Sequence, residues 1–224
     1  MSRSVVIAVD GTAASGKGTL AARLARHFGF AHLDSGSLYR LVAHNLIRAG
    51  HHPADEPAAA AAACAIDPTE ATRSELRGDT IAEAASIVAA FPRVRTALLD
   101  YQRAFAAKPP GGAPGAVIDG RDIGTVVCPD AQAKLFVDAE PRIRAHRRRL
   151  ELEAAGRMVT EEAVLADIRA RDARDRSRET APLRPAADAI LLDTTGLDID
   201  AAFAAALARV EPSVGEALKV RHRG

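Results

Sequence analysis

Five short, nearly continuous apolar runs each close on an aspartate, at residues 5–10, 31–34, 116–119, 133–138 and 189–193. Apolarity without alternation is what a strand covered on both faces requires. Between these runs, residues 17–27, 37–49, 80–107, 141–155, 160–178 and 199–209 carry Ala, Leu, Arg and Glu at roughly helical spacing. Such alternation predicts an α/β fold, a parallel sheet sandwiched by helices. The right-handed crossover rule then predicts five strands in the order 2-3-1-4-5. Residues 108–115, Lys-Pro-Pro-Gly-Gly-Ala-Pro-Gly, read as a loop because Pro removes donors and Gly frees the backbone. The stretch 58–65 is Ala-rich and compatible with a helix, while 51–78 shows no clear strand pattern.

The chain has 224 residues, enough for one α/β domain. Its formal charge of +1 argues against a protein whose main business is to bind nucleic acid, and an aromatic content of 4% argues against base stacking. The longest apolar stretch, 58–66, is far short of the roughly 20 residues that cross a bilayer. Residues 5–9 are followed at once by Asp10, a pattern that predicts no secretory signal and a cytoplasmic location. Cys64 and Cys128 are too few and too isolated for a disulfide framework or a metal cluster. Arg outnumbers Lys by 26 to four, which reflects coding bias before function. The basic end, within 211–224, reads as a flexible tail.

Chemistry concentrates at the ends of the predicted strands. Gly11-Thr12-Ala13-Ala14-Ser15-Gly16-Lys17-Gly18-Thr19 follows the first strand and opens a helix, the context of a phosphate-binding loop. There, backbone N–H groups and the positive helix end surround phosphate oxygens, and Lys17 adds a point charge. The residue after Lys17 is Gly18, and the hydroxyl comes one later, at Thr19. After the second strand, Ser35 and Arg40 sit in a polar turn into a helix; Ser35 alone would also serve as a helix N-cap. After the third, Asp119-Gly-Arg121-Asp122 places two carboxylates and a guanidinium within four residues. Asp119 is the candidate for Mg²⁺ at this edge, with Asp10 a weaker one. Arginines gather again in 141–178, where Arg144, Arg147 and Arg148 share one face and Arg171, Arg174 and Arg178 another.

Taken together, the Gly-Lys-Gly-Thr loop, Leu33–Arg40, Ala90–Arg95, Asp119–Val127 and Arg171–Arg178 resemble the bacterial cytidylate kinases, P-loop kinases of the nucleoside monophosphate kinase (adenylate-kinase-like) type. The resemblance spans nearly the whole chain. Two departures stand out: Gly-Thr-Ala replaces Gly-Pro-Ser in the loop, and residues 51–75 are too short for the family's small β-containing acceptor insert.

The resemblance implies one kinase domain with an acceptor-binding insert at 37–107 and a helical lid at 141–178, turning at Gly156. It implies transfer of the γ-phosphoryl group of MgATP to CMP or dCMP. Ser35, Arg95 and Asp122 would contact the pyrimidine, with Ser86 and Arg178 nearby. Arg40 and Arg121 would hold the acceptor phosphate, Arg171 and Asp175 the ribose and phosphate side, and Arg147 would reach from the lid toward the phosphoryl groups. Mg²⁺ would be held by Thr19 and Asp119, partly through water. A carboxylate paired with a guanidinium also complements cytosine, whose amine donor adjoins acceptor ring positions. ATP and CMP or dCMP are then the expected partners of a monomer that binds neither nucleic acid nor membrane. A GTPase is excluded because no Lys is followed by x-Asp; a kinase of UMP or of a non-nucleotide metabolite remains the alternative.

Overall fold

A computed structural model describes residues 4–72 and 74–223. Five parallel strands form one sheet in the order β2-β3-β1-β4-β5: β1 (Val5–Gly11), β2 (Ala31–Asp34), β3 (Gly115–Gly120), β4 (Ala133–Asp138) and β5 (Ile190–Asp193). This is the order expected from the alternation. All seven residues of β1 are buried, as its unbroken apolarity requires of a central strand.

Helices cover both faces: α1 (Lys17–Phe28), α2 (Ser35–Arg48), α3 (Glu56–Ala65), α4 (Asp79–Val88), α5 (Pro92–Ala107), α6 (Pro141–Ala154), α7 (Glu161–Ser177) and α8 (Ile199–Arg223). One core packs α1 and α8 on the sheet through Leu20, Leu24, Leu135, Ala206, Val210 and Val214. The other face packs Val6, Ala8 and Ile118 against Ala106 and Val127. A separate core joins α2, α3, α4 and α5 through Leu38, Val42, Ala59, Val88 and Leu98.

Two local readings are corrected, at 80–107 and at 211–224. The single helix expected over 80–107 is two, because Pro92 opens α5 and Phe91 before it is extended, at φ −78° and ψ 121°. The segment 51–78 forms α3 and two short 3₁₀ turns, with no strand among its described residues. The tail expected at 211–224 instead continues α8 through Pro212 to Arg223, and Val214 lies fully buried in the core.

Candidate active site

The carboxyl ends of the strands open into a cleft of about 650 Å³. The glycine-rich loop follows β1 and enters it. Gly11 leaves the strand so close to β4 that a Cβ there would stand 2.0 Å from the Val137 carbonyl oxygen. Gly16 has φ 84° at the N-cap of α1, a left-handed conformation that glycine adopts without penalty. Between them, Thr12 donates to Asp138 at 2.6 Å and its carbonyl accepts from Lys17 Nζ at 3.3 Å.

Ala13 is held by the α6–α7 hairpin. Arg144 Nη1 donates to the Ala13 carbonyl at 3.0 Å, and the Ala13 N–H reaches Asp172 Oδ1 at 3.3 Å. The two side chains close the arrangement with a 2.7 Å ion pair.

On the β2–β3 side, Asp34 caps α2 by accepting from the Ser37 N–H, so the cap is Asp34 and not Ser35. Ser35 instead donates to the Asp119 carbonyl at 2.7 Å, crossing from β2 to β3. A Cβ at Gly120 would stand 2.6 Å from that hydroxyl, so only glycine permits the contact. Arg40 is paired with Asp34; burial raises the Asp34 carboxyl, but Arg40 and Lys17 outweigh it and hold it below the usual range.

The turn after β3 carries the densest charge. Asp122 pairs with Arg95, both buried, and Arg95 also donates to the Ala89 carbonyl and lies 5.6 Å over the Tyr39 ring. Arg121 donates to Asp175 at 2.8 Å, and Asp175 also takes Arg178. Burial alone would raise the Asp175 carboxyl, yet Arg121, Arg178 and Arg171 hold it below the usual range. For Arg171 the balance runs against the charged form: burial, then the nearby Arg121, outweigh the attraction of Asp175 and bring its guanidinium down to about 10, and its Nε is buried without a hydrogen-bond partner. Lys17 is brought down to about 7 by burial and again by Arg121. Over the whole lining eight acidic residues balance eight basic ones, but around Lys17 and Arg171 the cations crowd one another, a local electrostatics that suits an anion.

Most residues expected at the site do line this cleft: Ala13, Ala14, Lys17, Gly18, Ser35, Arg40, Ser86, Arg95, Asp119, Arg121, Asp122, Arg171, Asp175 and Arg178. Gly11, Thr12, Ser15 and Gly16 shape the loop behind it. Three expectations are displaced. Arg147 does not reach toward the phosphate loop; it donates to the Thr194 and Leu197 carbonyls and to the Thr194 hydroxyl beyond β5. Thr19 is exposed on α1 and away from the lining, while Gly18 faces Asp119, with a Cβ position 3.6 Å from Oδ2. Asp10, the weaker metal candidate, is committed to the backbone N–H groups of Ile123 and Gly124 at 2.8 Å each. Residues not foreseen also line the cleft: Tyr39, Asp34, Asp79, Arg148 and Arg174. Arg148 and Arg174 stood in the two arginine faces, but helical spacing alone does not say which member turns inward.

A family model described as cytidylate kinase matches residues 7–211. The chain belongs to the cytidylate kinase family. The cytidylate kinase of Nitrobacter winogradskyi is 56% identical over 207 residues, 92% of this chain and 96% of its own. That of Rhodospirillum rubrum is 56% identical over 203 residues, 91% and 95% of the two chains. Among solved structures, an uncharacterized protein from Eubacterium ventriosum covers 92% of this chain with a TM-score of 0.53 at 15% identity, a likeness of fold alone. As a cytidylate kinase family member the chain is a kinase. No helix among the described residues is long and apolar enough to cross a membrane.

Proposed function

We propose that the enzyme transfers the γ-phosphoryl group of MgATP to CMP or dCMP, giving ADP and CDP or dCDP. The observation that carries this reading is Arg171: a half-buried side chain whose buried Nε has no hydrogen-bond partner, lining the cleft that the phosphate loop shares with the Arg95–Asp122 pair. An anion between donor loop and base-reading pair would satisfy it.

In this reading Lys17 and the N–H groups of the loop hold the ATP phosphates. Arg40, Arg121 and Arg171 hold the acceptor phosphate, and Ser35, Ser86, Arg95, Asp122, Asp175 and Arg178 surround the nucleoside. The attacking phosphate oxygen is largely ionised near neutral pH, so no general base is required. Positioning and charge neutralisation supply the catalysis. Asp119 fits Mg²⁺ as a hard carboxylate on the cleft, with Oδ1 meeting His32 at 2.9 Å and Oδ2 facing Gly18; it would hold the ion together with water and phosphate oxygens. Bound with ATP, the ion neutralises phosphoryl charge; Thr19 gains no support from its exposed position.

The α6–α7 hairpin is read as the lid, with α2–α5 forming the acceptor side. Its roots are tied to Ala13 through Arg144 and Asp172, so closure belongs to the distal part, where Leu152, Val164 and Ile168 line the cleft. The test is ADP release measured in parallel with CMP, dCMP, UMP, AMP and shikimate. CMP and dCMP should dominate; preference for UMP or shikimate would overturn the substrate assignment.

A further inference from the structure

Asp10 is the penultimate residue of β1 and is buried, yet it does not line the cleft. Its Oδ1 accepts the N–H of Ile123 and its Oδ2 that of Gly124, each at 2.8 Å. Those residues begin a single π-turn, Ile123–Val127, whose N-cap is Asp122. The Asp122 carbonyl in turn accepts the N–H groups of Val126 at 2.8 Å and Val127 at 3.2 Å. The backbone that carries Asp122 is thus held from both sides, and its carboxylate meets Arg95 from α5. Burial pushes the Asp10 carboxyl up to about 7, against the pull of the two N–H donors. Only a side chain with two accepting oxygens satisfies both donors.

We propose that Asp10 is a positioning residue for the acceptor base: by gripping the π-turn it sets the Asp122 carboxylate against Arg95. The proposal rests on the reading of Asp122 as the base-facing group. Asn at position 10 keeps the shape but accepts only one N–H and turns an amide donor toward the other. The turn then relaxes where Asp122 is attached.

The experiment compares Asp10→Asn, Gly124→Ala and Asp122→Asn, each alone, and the Asp10/Asp122 double variant, with CMP and UMP as acceptors. Gly124→Ala keeps both donors; a Cβ there would lie 3.4 Å from Asp10 Oδ2 and 3.1 Å from Cδ of the buried Lys134, whose Nζ is held by the Pro129 carbonyl and Asp188, so it presses on the grip. Asp10→Asn should lower kcat/KM for CMP by about tenfold, the scale of one buried donor left unpaired. The loss should fall on the CMP KM, reduce the CMP:UMP ratio, and leave the ATP KM within about twofold. It should add little in the Asp122→Asn background. Gly124→Ala should move the ratio the same way by less, and it decides the matter if Asp10→Asn does not fold. If Asp122→Asn shifts the ratio but neither other variant does, or if ATP KM rises as much as CMP KM, the Asp10 proposal falls alone. If Asp122→Asn leaves the ratio unchanged, the base reading falls first and takes the proposal with it.

Discussion

Arg144 and Asp172 grip the same residue of the phosphate loop from two helices, the guanidinium on the Ala13 carbonyl and the carboxylate on the Ala13 N–H. They are 28 residues apart, on α6 and α7, and 2% and 4% exposed. Removing one partner strands the other as a buried charge, so Arg144→Met should destabilise the fold by about 3 to 5 kcal/mol. The double variant Arg144→Met/Asp172→Leu should recover much of that loss while raising the ATP KM severalfold, because Ala13 loses the supports on both its carbonyl and its N–H. Thermal melts and ATP titrations check this; a double variant with unchanged ATP KM would show that the pair stabilises the fold without organising the loop.

Lys17 links the cleft to pH. Burial and Arg121 bring its amine down to about 7 in the free enzyme, and the phosphates of ATP favour the charged form. Binding ATP should therefore take up about half a proton at pH 7 and more at pH 8, since the free enzyme is then mostly uncharged at this position, and almost none at pH 5.5. Calorimetric titrations in two buffers of different ionisation enthalpy measure the uptake. Lys17→Met should abolish it and reduce turnover by several orders of magnitude, and equal uptake in that variant would remove Lys17 from the donor site.

Asp79, the first residue of α4, takes Arg148 at 2.6 Å and also Arg157, joining the acceptor-side helices to the distal hairpin. The carboxylate is 40% exposed, so Asp79→Ala should change global stability by under about 1 kcal/mol. Amide exchange around residues 148–157 should nevertheless accelerate, and the difference should shrink at high salt. Identical exchange in the two proteins would mean that the ion pairs do not restrain the hairpin.

Val214 lies fully buried beside Val210 and Ala206, on the stretch of α8 beyond Pro212. Val214→Ala should cost about 1 to 3 kcal/mol. At roughly 2 to 4 °C per kcal/mol for a chain of this size, Tm should fall by several degrees. Truncation after Glu211 should cost at least as much. A truncated protein with an unchanged melt would restore the flexible-tail reading of 211–224.

The amino-acid sequence alone determines the layered α/β architecture and the phosphate loop, since these rest on patterns within a dozen neighbouring residues, and the alternation of elements along the chain with the right-handed crossover rule gives the strand order. Apolar runs ending in Asp predict buried parallel strands, and the Gly-rich turn after β1 has few backbone solutions. The resemblance of its motifs likewise locates Lys17, Arg95, Asp122 and Arg171, all of which line one cleft. The break before Pro92 was also legible, yet strong helix formers on both sides masked it. Only the tertiary structure decides that Arg148 turns to the cleft while Arg147 binds the loop beyond β5, because successive helical residues point about 100° apart and docking of α6, pinned by Arg144, chooses between them. It alone also shows Asp10 gripping the turn below Asp122, a contact across 113 residues for which no local pattern exists. Side-chain direction and long-range hydrogen bonds follow from how elements pack, and packing is a property of the whole chain.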